Sequence, residues 1–187
     1  MISPYYPCVN LGSSSYKVCF DTDGNPDNIF FDTKQIENAD ITSFMIVGYQ
    51  YAKDRNSVYF EGEVIKGADV SSFRYLDYNY YARDKSLFYY GDKKMSNIDS
   101  TSFDILSENY CKDKNSVYFR GKRIIADPKT FEVINYSDYT KDNCNIYYDG
   151  KKLDQADYKT FVVLNENVAK DRKNVYYAGR VLETVLI

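Results

Sequence analysis

A block of about 29 residues repeats along this chain, and a repeat of this length constrains the fold more than any single motif does. Each copy begins with a basic residue and an Asp, and an apolar-Tyr-aromatic run follows that Asp after three intervening residues. The spacings between successive Asp residues are 30, 29, 29 and 29 positions, for Asp54, Asp84, Asp113, Asp142 and Asp171. A fixed period of this size is typical of stacked supersecondary units, none of which buries its apolar face alone.

The composition favours a β fold. The chain has 21 Tyr and 11 Phe among 187 residues, and broad rings suit a pleated, half-buried surface. The formal charge of −3, from 24 basic and 27 acidic residues, argues against direct nucleic-acid binding, which needs a strong positive field. No run approaches the roughly 20 apolar residues of a transmembrane helix, so we expect no membrane insertion.

Each repeat contains the signals of a hairpin. The apolar-Tyr-aromatic run predicts a strand, and a tight turn containing Gly follows it before a returning strand. The second copy departs from the pattern with Gly91-Asp92, which predicts another turn type. The other turns read Glu61-Gly62, Arg120-Gly121, Asp149-Gly150 and Ala178-Gly179.

A second landmark lies between the hairpins: an Asp followed after three residues by Phe, as at Asp40 and Phe44. Asp is a strong N-cap, so this landmark predicts one short helical turn, and the alternation after Phe predicts a third strand. We therefore predict an all-β fold, an open array of about six 29-residue units, each a β-hairpin plus a short helical turn and a third strand. A closed propeller- or barrel-like β fold is the alternative, although propeller blades usually need about 40 residues.

The repeat also predicts the domain organisation. We expect a single repeat domain over residues 1–187. In it, residues 1–24 form an N-terminal cap and 25–50 a degenerate first unit, in which Asn25 replaces the anchor Asp. Residues 51–182 form five recognisable units, the last truncated, and 183–187 form an apolar tail.

Two aromatic columns should run along the array, because neighbouring residues of a strand point to opposite faces. We expect one column to be core, namely Phe60, Tyr90, Phe119, Tyr148 and Tyr177. We expect the other column to be partly exposed, namely Tyr59, Tyr89, Tyr118, Tyr147 and Tyr176.

Segment 113–119, Asp-Lys-Asn-Ser-Val-Tyr-Phe, resembles the signature of the DKNYY family, a bacterial repeat family, and segments 54–56 and 84–86 are variants of it. The resemblance covers about residues 51–182, and 25–50 more loosely. It implies bacterial origin and a repeat architecture. It implies no active site, because the family has no assigned activity.

No residue pattern predicts catalysis, a metal or a cofactor. The chain has no His, which excludes His-based triads and the commonest general base near neutral pH. Carboxylates that recur in every unit are more simply structural, since an active site needs one asymmetric cluster. The acidic segment 21–32 has the oxygen spacing of a calcium loop, but Pro26 stands where that loop needs Gly, so an acidic turn is expected.

The four cysteines, Cys8, Cys19, Cys111 and Cys144, show neither zinc-like nor redox spacing. We expect free thiols in a reducing cytoplasm. The first eight residues lack the basic and apolar regions of a secretory signal, which also predicts a cytoplasmic location.

These observations favour a non-catalytic protein-binding module, because repeat arrays present large, rigid surfaces. The specific hypothesis is a bacterial immunity protein that neutralises a toxin by direct binding. Its partner would be a basic, nuclease-type protein, since the chain is acidic. The alternative is a carbohydrate- or cell-wall-binding repeat module that uses an exposed Tyr column. The candidate partner contacts are the turn residues Glu61, Asp92, Arg120 and Asp149 and the column residues Tyr59, Tyr89, Tyr118 and Tyr147.

Overall fold

The computed structural model of the chain describes residues 7–78, 80–134 and 137–184, and every helix or strand assigned in these ranges is a β-strand. The strands form six antiparallel sheets of four strands each, and none of the sheets closes into a barrel. In every sheet the spatial order of the strands follows the chain order, as in a meander. The structure thus confirms the all-β class and the open array of about six repeated units.

The chain divides into two compact parts, residues 1–96 and 97–187, called here the N-terminal part and the C-terminal part. Three sheets belong to the N-terminal part. The first sheet contains β1 (Cys8–Asn10), β2 (Tyr16–Phe20), β3 (Pro26–Phe31) and β4 (Lys34–Gln35). The second contains β5 (Met45–Ile46), β6 (Tyr51–Lys53), β7 (Val58–Phe60) and β8 (Glu63–Val64). The third contains β9 (Arg74–Asp77), β10 (Tyr81–Arg83), β11 (Phe88–Tyr90) and β12 (Lys93–Met95).

The C-terminal part repeats the same arrangement three times. Its first sheet contains β13 (Asp104–Ile105), β14 (Tyr110–Lys112), β15 (Val117–Phe119) and β16 (Lys122–Ile124). The next contains β17 (Glu132–Val133), β18 (Tyr139–Lys141), β19 (Ile146–Tyr148) and β20 (Lys151–Lys152). The last contains β21 (Val162–Val163), β22 (Val168–Lys170), β23 (Asn174–Tyr177) and β24 (Arg180–Thr184). This last sheet has all four strands, although the repeat in the sequence ends within a hairpin.

Each unit contains one strand more than the sequence predicts. In the second sheet this strand is β6, whose three residues pair with β7 on one side and β5 on the other. The Lys53-Asp54 anchor therefore lies where the chain turns from β6 into β7. A strand of three residues is too short to show a clear alternation of apolar and polar side chains, which is why the sequence pattern did not predict it.

The prediction of a short helical turn is wrong. At residues 40–44 the chain makes one hydrogen-bonded turn, in which Ser43 N donates to the Asp40 carbonyl at 3.1 Å, and β5 begins at Met45. The Asp40 Oδ1 atom accepts a hydrogen bond from Thr42 N at 3.2 Å, as an N-cap would. The Asp thus caps a single turn, and no second turn follows to make a helix.

The first sheet crosses the predicted boundary between cap and first unit, because β2 and β3 form a hairpin around residues 21–25. In that turn Asp21 Oδ1 accepts hydrogen bonds from Asp23 N at 2.9 Å and Asn25 N at 2.8 Å. The acidic segment thus forms a self-bonded turn. Of the predicted apolar tail, residues 185–187 lie outside the described residues.

The prediction of four free thiols is wrong for one pair. Cys8 and Cys19 face each other on β1 and β2 and form a disulfide. Cys111 is a buried thiol and Cys144 an exposed one. All three residues of β1 are exposed, so burial contributes little to holding this strand, and the disulfide fixes it covalently to β2.

The predicted exposure is wrong for one of the two aromatic columns. The column expected to be partly exposed is buried, with relative exposures of 1% for Tyr59, 0% for Tyr89, 3% for Tyr118, 2% for Tyr147 and 1% for Tyr176. In the column expected to be core, Phe60 and Tyr90 are buried, Phe119 and Tyr148 are half-buried, and Tyr177 is 51% exposed. The burial of the first column has a local cause: each buried Tyr hydroxyl lies beside the anchor Asp of its own unit, a polar partner that the sequence spacing alone does not reveal.

Candidate functional site

In the five units that have an anchor Asp, this residue is buried inside the turn between two strands. Asp54 Oδ1 accepts hydrogen bonds from the backbone N–H groups of Asn56 and Ser57, both at 2.7 Å. Its Oδ2 accepts from the Tyr59 hydroxyl at 2.7 Å and from Asp40 N at 2.8 Å. One carboxylate thus ties together the hairpin turn, the buried Tyr column and the preceding turn. The basic residue beside it bonds elsewhere, since Lys53 Nζ donates to the Val70 carbonyl at 3.0 Å.

The same hydrogen-bond set recurs around Asp84 and Asp142. Burial disfavours the charged form of Asp142, but hydrogen bonds from Tyr147 and from the backbone of Cys144, Asp127 and Asn145 outweigh it and lower its pKa to about 2. The same balance lowers the pKa values of Asp54, Asp84 and Asp171. These carboxylates are held ionised by structural donors, which suits a framework and not a general base.

A second Tyr in the repeat joins consecutive units. The Tyr139 hydroxyl donates to the Asn167 carbonyl at 3.0 Å and accepts from Gly179 N at 3.1 Å, both in the following unit. Tyr16 makes the same pair of bonds, to Gln50 O at 2.9 Å and from Gly62 N at 3.1 Å. The residues that repeat are therefore largely internal, and the candidate functional residues lie among those that vary on the surface.

Four turns between the third and fourth strands place a charged residue at the surface; it is the first residue of the turn in three of them and the second at Asp92, which follows Gly91. Glu61, Asp92, Arg120 and Asp149 are all exposed there, as the sequence predicts for contact residues. In the C-terminal part, Arg120 pairs with Asp149 one unit later at 3.8 Å. Side chains at this turn position therefore reach each other between neighbouring units.

In the N-terminal part the same turns carry only acidic charges. Asp32, Glu61 and Asp92 are exposed, and none of them has an ion-pair partner among the described residues. We call these three residues the acidic turn column. The sequence prediction missed Asp32, although its position one repeat period before Glu61 was a signal that could have found it. The charge balance agrees, with 13 acidic and 10 basic residues in the N-terminal part and 14 of each in the C-terminal part.

The four tyrosines proposed as partner contacts lie in the core. Tyr59, Tyr89, Tyr118 and Tyr147 are at most 3% exposed. Burial raises the pKa of Tyr59, and the hydrogen bond to Asp54 raises it further. The carbohydrate-binding alternative required these rings at the surface, so this column offers no stacking platform for a sugar.

The fourth strands carry a second set of charged positions, which the sequence prediction did not use. On each fourth strand, one residue lies opposite the aromatic residue that ends the third strand. In the first two sheets these residues are Lys34, opposite Phe31, and Glu63, opposite Phe60. Lys34 Nζ and Glu63 Oε1 form an ion pair between neighbouring units. In the C-terminal part the corresponding residues are Lys122, Lys151 and Arg180, opposite Phe119, Tyr148 and Tyr177.

The sequence that forms these units matches a known family. The family model described as "DKNYY family" matches residues 23–151 and 139–186. This chain belongs to the DKNYY family. No curated protein and no solved structure matches the chain, and the family has no assigned activity.

The DKNYY chain has a groove of about 1100 Å³ in its C-terminal part. Two lysines of the groove bond to neighbouring groups: Lys141 Nζ pairs with Glu132 Oε1 at 2.8 Å, and Lys112 Nζ donates to the Phe131 carbonyl at 3.3 Å. These contacts hold the groove walls together. They bring no nucleophile and base into contact.

In the described ranges, no three His, Cys, Asp or Glu side chains come together in a way that could hold a metal ion. No helix in these ranges is long and apolar enough to cross a bilayer.

Proposed function

We propose that this DKNYY chain is a non-catalytic protein-binding module and that its N-terminal part binds a basic partner protein. The observation that carries the proposal is the acidic turn column, Asp32, Glu61 and Asp92, which is exposed and lacks a basic partner in the described ranges. Unpaired charges of one sign raise the encounter rate with a partner of opposite sign and suppress wrong partners.

The framework supports the same function. The buried Asp and Tyr residues fix the backbone of each unit, so the turn residues are held in place before a partner arrives. A preorganised surface loses little conformational entropy on binding. The carboxylates with the strongest hydrogen-bond sets serve this framework, which leaves the exposed acids for recognition.

In its most specific form the proposal makes the chain an immunity protein that neutralises a nuclease-type toxin by direct binding. Nucleases bind the phosphate backbone through Lys and Arg side chains. A column of carboxylates on a rigid scaffold is the complement of such a surface, and it would block access of the substrate.

The test is affinity capture from native cell extract with three baits, followed by mass spectrometry. The wild-type chain should capture one basic protein in stoichiometric amount. The variant Asp32→Asn/Glu61→Gln/Asp92→Asn should capture at least about tenfold less, because it removes the complementary charge. The control Asp104→Asn/Glu108→Gln/Glu166→Gln changes net charge equally on exposed acids of the C-terminal part and should capture as much as wild type. Equal capture by all three baits, or capture of no basic protein, would refute the proposal.

The hypothesis that the chain is an immunity protein has a separate test. The captured partner, once purified, should cleave nucleic acid, and one equivalent of the wild-type chain should abolish the cleavage. A partner that cleaves at the same rate with or without the chain would exclude this form.

The cytoplasmic location remains part of the proposal, and Cys8 and Cys19 provide its test. Disulfides persist in oxidising compartments and are rare in the cytoplasm. Thiol trapping in intact cells should find the pair reduced if the chain works in the cytoplasm. A fully oxidised pair would place the chain, and its partner, outside it.

A further inference from the structure

The geometry points to a second interaction surface: we propose that Lys122, Lys151 and Arg180 bind a linear polyanion whose charges are phosphates. We call these three residues the basic edge column. They lie in the C-terminal part, so the inference is independent of the acidic turn column and of the proposed protein partner.

The column is defined by strand register. Lys122, Lys151 and Arg180 each oppose the aromatic residue that ends the preceding strand, namely Phe119, Tyr148 and Tyr177. They recur once in each unit of the C-terminal part, and all three are exposed. Each lies on the fourth strand, at the edge of its sheet, where a ligand can approach without displacing protein.

The ion pair between Lys34 and Glu63 shows how close such residues come. These two side chains occupy the same register position in neighbouring units of the N-terminal part, and they are in direct contact. The basic edge column places like charges in that geometry. None of the three has a carboxylate within ion-pair distance among the described residues.

Two more basic residues flank the column. Arg123 and Lys152 follow Lys122 and Lys151 directly and are also exposed. The nearest carboxylate to Lys152 is Asp154 at 3.9 Å, whose side chain is 85% exposed. An ion pair that long and that exposed contributes little. Arg123 and Lys152 oppose Tyr118 and Tyr147, so they point to the other face of the sheet and do not belong to the column.

The shape of the column selects an extended ligand with repeated charges. Cations that recur once per unit match a chain with repeated charges better than one small anion. Ammonium groups act as point charges and bind tetrahedral phosphate without the planar geometry that Arg uses for carboxylates. Two of the three cations of the column are Lys. Among the exposed side chains facing this register position only Tyr177 offers a ring, so stacking on nucleic-acid bases is not favoured.

Fluorescence anisotropy with labelled inorganic polyphosphate of about one hundred units tests the proposal on the full chain. We expect saturable binding to the wild type, with an affinity that falls as salt rises. The variant Lys122→Gln/Lys151→Gln/Arg180→Gln should bind at least about tenfold more weakly. The slope of log Kd against log salt should fall by about two, at roughly 0.7 per lost phosphate contact.

The matched control is Lys129→Gln/Lys159→Gln/Lys173→Gln, three exposed lysines of the same part that lie outside the column. This variant has the same net charge as the test variant and should bind polyphosphate like the wild type. Charged residues on edge strands also prevent edge-to-edge aggregation. Light scattering at the assay concentration shows whether both variants are still monodisperse, so that lost affinity is not aggregation.

Four outcomes would overturn the proposal. The wild type binds no polyphosphate, or the test and control variants lose affinity equally, which would mean that net charge alone decides. Equal affinity for polyglutamate of the same length would assign the surface to acidic protein segments instead. Equal affinity for triphosphate would show that one anion suffices and that the column does not act as a row.

Discussion

Replacing one anchor carboxylate should show how far each unit depends on it, and Asp142→Ala is the sharpest case. The substitution removes the acceptor of hydrogen bonds from Cys144 N at 3.0 Å, Asn145 N at 2.8 Å, Asp127 N at 3.1 Å, the Tyr147 hydroxyl at 2.6 Å and the Asn145 side-chain amide at 3.0 Å. The Tyr147 side chain is 2% exposed, so its hydroxyl has little access to water. A buried donor left without a partner costs about 1–3 kcal/mol, so we expect the free energy of unfolding to fall by about 3 kcal/mol.

The pKa of Asp142 gives a second estimate of the same contribution. The hydrogen bonds lower this pKa from 3.8 to about 2, which corresponds to about 2 kcal/mol of stability at pH 7. Because the pKa is depressed in the folded state, this contribution is complete above about pH 4 and is lost as the pH falls towards about 2. The stability advantage of wild type over Asp142→Ala should therefore shrink by about 1 kcal/mol between pH 7 and pH 3.

Urea unfolding followed by circular dichroism measures both effects. Asp154→Ala is the control, because its side chain is 85% exposed and surface substitutions usually change stability by less than about 0.5 kcal/mol. The reasoning is refuted if the stability of Asp142→Ala differs from that of the wild type no more than such a surface substitution does. It is also refuted if the difference between them is the same at pH 3 and pH 7.

Three other substitutions test the contacts between and within units. Tyr139→Phe should lower the free energy of unfolding by about 1–2 kcal/mol, since it leaves Asn167 O and Gly179 N without their partner, whereas Tyr158→Phe, at an exposed ring, should not. Gly150→Ala should destabilise far more than Gly12→Ala: both glycines have positive φ, but only at Gly150 would the new Cβ lie 2.6 Å from the Phe119 ring. Cys8→Ser with Cys19→Ser should cost about 2–4 kcal/mol, and hydrogen exchange should locate the loss in the first sheet.

Much of the fold could be predicted from the sequence because the same pattern of residues recurs five times. The aromatic strands, the Gly-containing turns and the capping Asp could all be predicted, since each has a local physical cause that spacing reveals. The strand β6 could not, because Tyr51-Ala52-Lys53 is too short to show a period. The helical turn at 40–44 was predicted wrongly because a cap signal does not say how many turns follow it.

The aromatic columns show the limit of alternation. The alternation of side chains along a strand shows that Tyr59 and Phe60 point to opposite faces of the sheet, but it does not show which face is buried. That depends on Asp54, which lies five residues before Tyr59 and accepts a hydrogen bond from its hydroxyl inside the turn. A Tyr can be buried when its hydroxyl has a hydrogen-bond partner, and Asp54 provides that partner.

The surface could be predicted only in part. Glu61, Asp92, Arg120 and Asp149 were identified because they occupy turns, which lie at the surface for a general reason. The ion pair between Arg120 and Asp149 could not be predicted, because it depends on the distance between neighbouring units. Lys122, Lys151 and Arg180 recur at the repeat period and so share one position in the sequence, but only the strand pairing shows that this position lies on an edge strand.

The most direct test of the proposed function is the mass of the complex that the chain forms in native extract, measured by native mass spectrometry after capture. We predict a single complex of one chain with one basic protein, which dissociates as the salt concentration rises and is missing for Asp32→Asn/Glu61→Gln/Asp92→Asn. A chain that stays alone in the extract, or one that binds an acidic protein with no dependence on salt, would contradict the account.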